Sequence, residues 1–136
     1  MIAIVVLDDK NGMMFHQKRQ SKDRILRAKI LELSKDGQLW MNEYTKKQFE
    51  DSVQIRVGKD FLGEARSGDY CFVEDEDLMP WKEKIEKLIV FRWNRIYPAD
   101  RYFDLAVKEP EWVLERTEEF AGYSHDVITM EEYRHV

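Results

Sequence analysis

Residues 2–7 read Ile-Ala-Ile-Val-Val-Leu, an aliphatic run with no polar residue to mark a solvent face. The run is too short for a buried helix and lacks the period-two alternation of a half-exposed strand. It therefore predicts a strand covered on both sides, at the centre of a sheet. Strands of this kind belong to parallel sheets with helices on both faces, so the chain is expected to be an α/β protein. Asp8-Asp9-Lys10-Asn11-Gly12 supplies the turn that ends the run.

The remaining pattern alternates strand and helix. Ile25, Leu26, Ile30 and Leu33 fall at helical spacing after Ser21, a candidate N-cap, and Asp36-Gly37 closes the connection that follows. Leu39 to Met41 is a short strand, and Tyr44 to Phe49 is a short helix that Asn42 or Thr45 could cap. Val53, Ile55 and Val57 alternate with polar residues as a strand does, and Asp60 to Arg66 reads as helix. Tyr70 to Val73 is a further strand. Glu74 to Asp77 then suits the start of a helix carrying Leu78, Trp81 and Ile85. Leu88 to Trp93 is apolar strand. Trp112 to Phe120 with Tyr123 to Ile128 predicts a closing antiparallel pair, and Thr129 and Glu132 have the spacing of a capping box for one last helical turn.

At 136 residues, with no repeat or linker, residues 1–136 are expected to form one domain. The lone Cys71 lies in an apolar run, which excludes an intrachain disulfide and fits a reducing, cytoplasmic setting. The apolar start is too short for a signal core, and no other run approaches a membrane span. A net charge of −5 argues against general nucleic-acid binding, although Lys18 to Lys29 holds six bases against one acid. That segment is read either as a solvated face or as an anion site, and aromatic surface from Trp40, Trp81 and Trp93 allows a homodimer. His16, His125 and His135 form no metal motif, so no metal and no metal-dependent ribonuclease is expected. No nucleophile-elbow, Walker or Cys/His signature occurs.

The order of these elements, with several stretches of residues, resembles the dihydrofolate reductase family. Residues 1–12 are similar to that family's first strand and the loop over the nicotinamide, and Asp23 falls where the family has its pterin-binding carboxylate. Leu39 to Thr45 is similar to the strand and helix start that carry a Gly-Arg-x-Thr phosphate motif. Lys87 to Val90, Asp100 to Asp104, Glu111-Trp112 and Ser124-His125 resemble its later strands and loops. The implied architecture is a mostly parallel central sheet with helices on both faces and a C-terminal antiparallel hairpin.

The departures bear on function. Where the family has a Gly-Gly pair for the NADPH pyrophosphate, this chain reads Glu74-Asp75-Glu76-Asp77, which would repel a dianion and block close backbone approach. Asn42-Glu43 replaces Gly-Arg and leaves only Thr45 of the second motif, and the chain is shortened between Phe49 and Val53. NADPH is thus disfavoured, and no other cofactor is indicated. The resemblance implies Asp23 as the catalytic carboxylate; from the residues alone it is equally a first-turn acid beside Lys22 and Arg24. Leu7, Arg19, Arg24, Arg27 and Thr45 are the candidate ligand-binding residues around a retained pterin-side cleft. The expected function is binding of a small anionic or heterocyclic ligand without dihydrofolate reductase activity. The alternatives are an NAD(P)H-dependent reductase with an altered cofactor pose and a non-enzymatic interaction module.

Overall fold

The computed structural model describes residues 1–50 and 54–136. In chain order the elements are β1 (Ile2–Leu7), β2 (Gly12–Phe15), β3 (Lys18–Arg19), α1 (Arg24–Leu33), β4 (Leu39–Met41), α2 (Glu43–Lys46) and β5 (Ile55–Val57). There follow α3 (Phe61–Glu64), β6 (Tyr70–Phe72), a 3-10 turn (Met79–Lys84), β7 (Lys87–Arg92), β8 (Arg101–Tyr102), β9 (Trp112–Phe120) and β10 (Ile128–His135). The main sheet has seven strands in the order β5-β4-β6-β1-β7-β10-β9, and β2, β3 and β8 make a separate three-stranded sheet.

The aliphatic run is the middle strand, as its pattern requires. It pairs in parallel with β6 on one side and β7 on the other. Ala3, Val5 and Leu7 point to one face, where Cys71, Leu88 and Val90 meet Phe61, Leu62, Leu78 and Trp112. Ile4 points to the other with Phe72, Ile89, Phe91 and Met130, and there Leu26 and Ile30 of α1 cover the sheet. Burying each of those two helix side chains contributes about 1.5–3 kcal/mol. The closing strands run antiparallel, with β10 inserted between β7 and β9.

Several expected boundaries move, each for a local reason. Ser21 does not cap α1; Asp23 does, its Oδ1 accepting the N–H groups of Ile25 (2.9 Å) and Leu26 (3.3 Å). Asn42, and not Thr45, caps α2. Helix α3 stops at Glu64 because Ala65 is extended. Glu74 to Asp77 does not wind into a helix. The Asp104 carboxylate takes the N–H groups of Leu78 and Met79, and only a 3-10 turn containing Pro80 follows. The second strand of the hairpin is 128–135, not 123–128, and no helical turn forms at Thr129, because β10 finds partners on both sides. Val53, and with it the expected shortening before it, lies outside the described residues. Trp40 and Trp93 are buried, and Trp81 packs half-buried against the core. Among the described residues no helix is long and apolar enough to cross a membrane.

Candidate functional site

Parallel sheets bind ligands beyond the carboxyl ends of strands, where the chain reverses its direction of winding. Here that place lies beyond β1, between its neighbours β6 and β7. A cleft there is lined by Val6, Phe72, Val73 and Trp93 from the strand ends, by the cap Asp23 and by Leu26, Arg27 and Ile30 of α1, and by Gln20, Ser21 and Gln48. It is narrow, with free volume of about 20 Å³, room for about one water until rim side chains move.

Asp23 is buried at the base of α1 and has no idle oxygen. Besides capping the helix, Oδ1 accepts from Tyr123 N (3.0 Å), and Oδ2 accepts from Ser124 N (2.9 Å) and His125 Nδ1 (2.8 Å). Burial alone would raise its pKa; the donors from Tyr123, His125, Ser124 and Leu26 outweigh it and hold the carboxyl far below the usual range. Gly122 makes this possible. A Cβ there would lie 2.7 Å from Asp23 Oδ2 and 2.9 Å from His125 O, so only glycine lets the 121–127 loop reach the carboxylate.

An ionised Asp23 can only accept, so His125 Nδ1 carries a proton, and in the neutral ring Nε2 is then the acceptor. Two hydroxyls converge on that nitrogen, Ser21 Oγ at 3.0 Å and Tyr97 Oη at 3.1 Å. The imidazole is buried and stacks on Trp93, with centroids 4.3 Å apart. Asp8 anchors the neighbouring wall. Burial opposes its ionisation, but bonds from Gly12 N, Lys10 N, Gln20 Nε2 and Tyr97 N hold its pKa down.

The other predicted residues are dispersed. Leu7 points to the opposite face of the sheet, and Val6 takes its place in the cleft. Arg24 lies outside the cleft, over the Tyr123 ring at 4.0 Å. Arg19 lines the cleft but is held by both Glu74 oxygens, at 3.0 and 3.1 Å. Thr45 is fully buried, its hydroxyl without a partner. Arg27 remains in the cleft wall, and among the described residues its guanidinium has no ion pair. Gln48 Nε2 and Gln20 Oε1 are buried without hydrogen-bond partners, and both residues line the same cleft. Sequence reasoning missed His125, Ser21, Tyr97 and Gln48. Only tertiary structure joins His125 to Asp23, and nothing local announces the pair.

No family model matches this sequence, and no curated protein does. Among solved structures, the chain superposes on dihydrofolate reductase from Enterococcus faecalis, complexed with NADP(H) and RAB-propyl, with a TM-score of 0.72 at 10% identity. The match covers 98% of this chain and 95% of that one. The chain has the dihydrofolate reductase fold. At that identity the likeness concerns architecture, and the chemistry has to be read from the residues.

In the reductase fold the start of α2 and the loop after β6 are where the resemblance would place the cofactor phosphates. Here the chain's own carboxylates occupy the local donors. Asn42 Nδ2 donates to Asp75 (2.8 Å) and Glu76 (3.1 Å), Arg19 pairs with Glu74, and Arg101 donates to Asp77 (3.0 Å). Glu76 is pushed above its ordinary pKa by burial and by the adjacent Asp75. A pyrophosphate would have to displace these carboxylates and then sit among them, so the residues present do not fit NADPH in the usual pose. Among the described residues no group of three or more His, Cys, Asp or Glu could hold a metal.

Proposed function

We propose that this protein binds a small anionic heterocycle in the cleft beyond β1 and does not reduce dihydrofolate. The observation that carries the reading is the set of uncommitted groups among the residues that line the cleft. Arg27 offers a cation, Gln48 an N–H donor and Gln20 a carbonyl acceptor, none of them engaged within the cleft. A ring with an amide edge and a carboxylate or phosphate substituent matches all three. The same reading makes Asp23 a positioning residue, because its oxygens already serve six donors of this chain.

Trp93 lines the cleft and serves as the reporter. Titration with orotate and with uridine monophosphate is expected to quench tryptophan emission saturably, and Arg27→Ala is expected to weaken binding about tenfold, the loss of about 1.4 kcal/mol. Dihydrofolate and NADPH together should give no loss of absorbance at the nicotinamide band. Micromolar NADPH binding, or reduction of dihydrofolate, would overturn the reading.

A further inference from the structure

Two side chains of the cleft wall, the Ser21 hydroxyl and the Asp23 carboxylate, are bridged by the His125 imidazole, which itself borders a neighbouring hollow with Trp93 and Ser124. Ser21 Oγ lies 3.0 Å from His125 Nε2, and His125 Nδ1 lies 2.8 Å from Asp23 Oδ2. This is the hydrogen-bond order of a nucleophile, a base and the group that orients the base. From Ser21, Asp23 and His125 so placed we infer that the protein carries an acyl-transfer activity, with Ser21 as the nucleophile.

Each part has the environment its role requires. The Asp23 carboxylate is buried, ionised and fixed by backbone N–H groups, so it holds the His125 proton on Nδ1 and leaves Nε2 free to accept. Stacking on Trp93 fixes the ring plane. Ser21 is partly exposed and lines two spaces at once: the narrow inner cleft and an open outer hollow formed with Lys18, Arg19, Lys22 and Tyr44. The inner cleft also holds the unpartnered Gln48 amide N–H, a donor for a developing oxyanion. The substrate class follows from these two spaces. The inner cleft is too narrow for a long acyl chain, and an anionic leaving group lies outward beside Lys18 and Lys22, as in a short-chain acyl ester or thioester carrying phosphate.

In the first half-reaction Ser21 Oγ bonds to the acyl carbon while its proton passes to His125 Nε2 and the carbonyl electron pair moves to oxygen. The carbonyl re-forms as the bond to the leaving group breaks, and His125 returns the proton to the departing alcohol or thiol. Water then attacks the acyl-serine, giving its proton to His125. The acid leaves, and Ser21 Oγ recovers the proton. The net reaction is ester or thioester plus water to acid plus alcohol or thiol. Tyr97 Oη competes with Ser21 for the same imidazole nitrogen, so it restrains the base in the resting state.

This inference rests on the cleft proposed above as a binding site, and the two fail separately. Incubation of the full chain with a fluorophosphonate should add one probe mass, mapped by peptide sequencing to Ser21. Acetyl-coenzyme A should be hydrolysed at least tenfold faster than octanoyl-coenzyme A. Ser21→Ala should abolish labelling and hydrolysis while keeping the unfolding midpoint of the wild type. Tyr97→Phe should raise the labelling rate several-fold by freeing Nε2 for the serine. Because His125→Ala removes a buried group, His125→Gln with an unchanged unfolding midpoint is the appropriate companion, and it should label at least a hundredfold more slowly. An unlabelled wild type, or an adduct that persists in Ser21→Ala, would overturn the acyl-transfer role. Loss of orotate quenching alone would overturn only the earlier reading.

Discussion

The Asp23 carboxylate holds together two segments far apart in sequence, capping α1 with one set of bonds and tethering the 121–127 loop with another. Asp23→Asn presents an N–H to donors that need an acceptor, and we expect it to cost about 2–3 kcal/mol in urea unfolding at neutral pH. The pH dependence has a definite sign. The folded pKa is depressed below the unfolded value of about 3.9, so the stabilisation is complete above that value and is lost progressively as pH falls from there toward the folded pKa. Wild-type unfolding midpoints should therefore drop between about pH 5 and pH 2, and the part due to Asp23 should be missing from Asp23→Asn. Gly122→Ala should destabilise by a similar amount and, by pushing the loop from Asp23, shift the His125 ring resonances in NMR. Asp23 was visible in the sequence as an acid before a helix. His125 was not, because its partners Ser21 and Asp23 lie about a hundred residues earlier and meet it only across the fold.

The elements show where local patterns govern and where pairing overrides them. The run from Ile2 to Leu7 could be read directly, since only a two-sided environment suits six aliphatic residues in succession. Thr129 and Glu132 carry a helix-start pattern, yet they lie in β10, where ladders to β7 and β9 supply what one helical turn could not. Glu74 to Asp77 likewise suits a helix start, but its side chains are taken by Arg19, Asn42 and Arg101. Asn42 is the hinge of that arrangement, capping α2 with its carbonyl and binding the acidic loop with its amide. Asn42→Ala should lower stability by about 1–2 kcal/mol, measured by chemical denaturation. The same substitution should leave Asp75 and Glu76 mutually repelling, so added salt should restore part of the loss.

Across the whole molecule, the sheet depends on its last strand. Residues 128–135 join β9 to the rest of the sheet, because among the described residues β9 pairs with β10 alone and β10 in turn pairs with β7. A chain ending at residue 127 should give no cooperative thermal transition and weak near-ultraviolet circular dichroism, because one face of the core also loses Ile128 and Met130. The insertion of β10 has a consequence for the timing of reactivity. Ser21 leaves the ribosome long before His125, and the imidazole can reach it only when the final strand has slotted into the sheet. An emerging or loosened chain therefore carries an ordinary, unreactive serine. The nucleophile is armed by the completion of folding and disarmed by the first fraying of the strand that completes it.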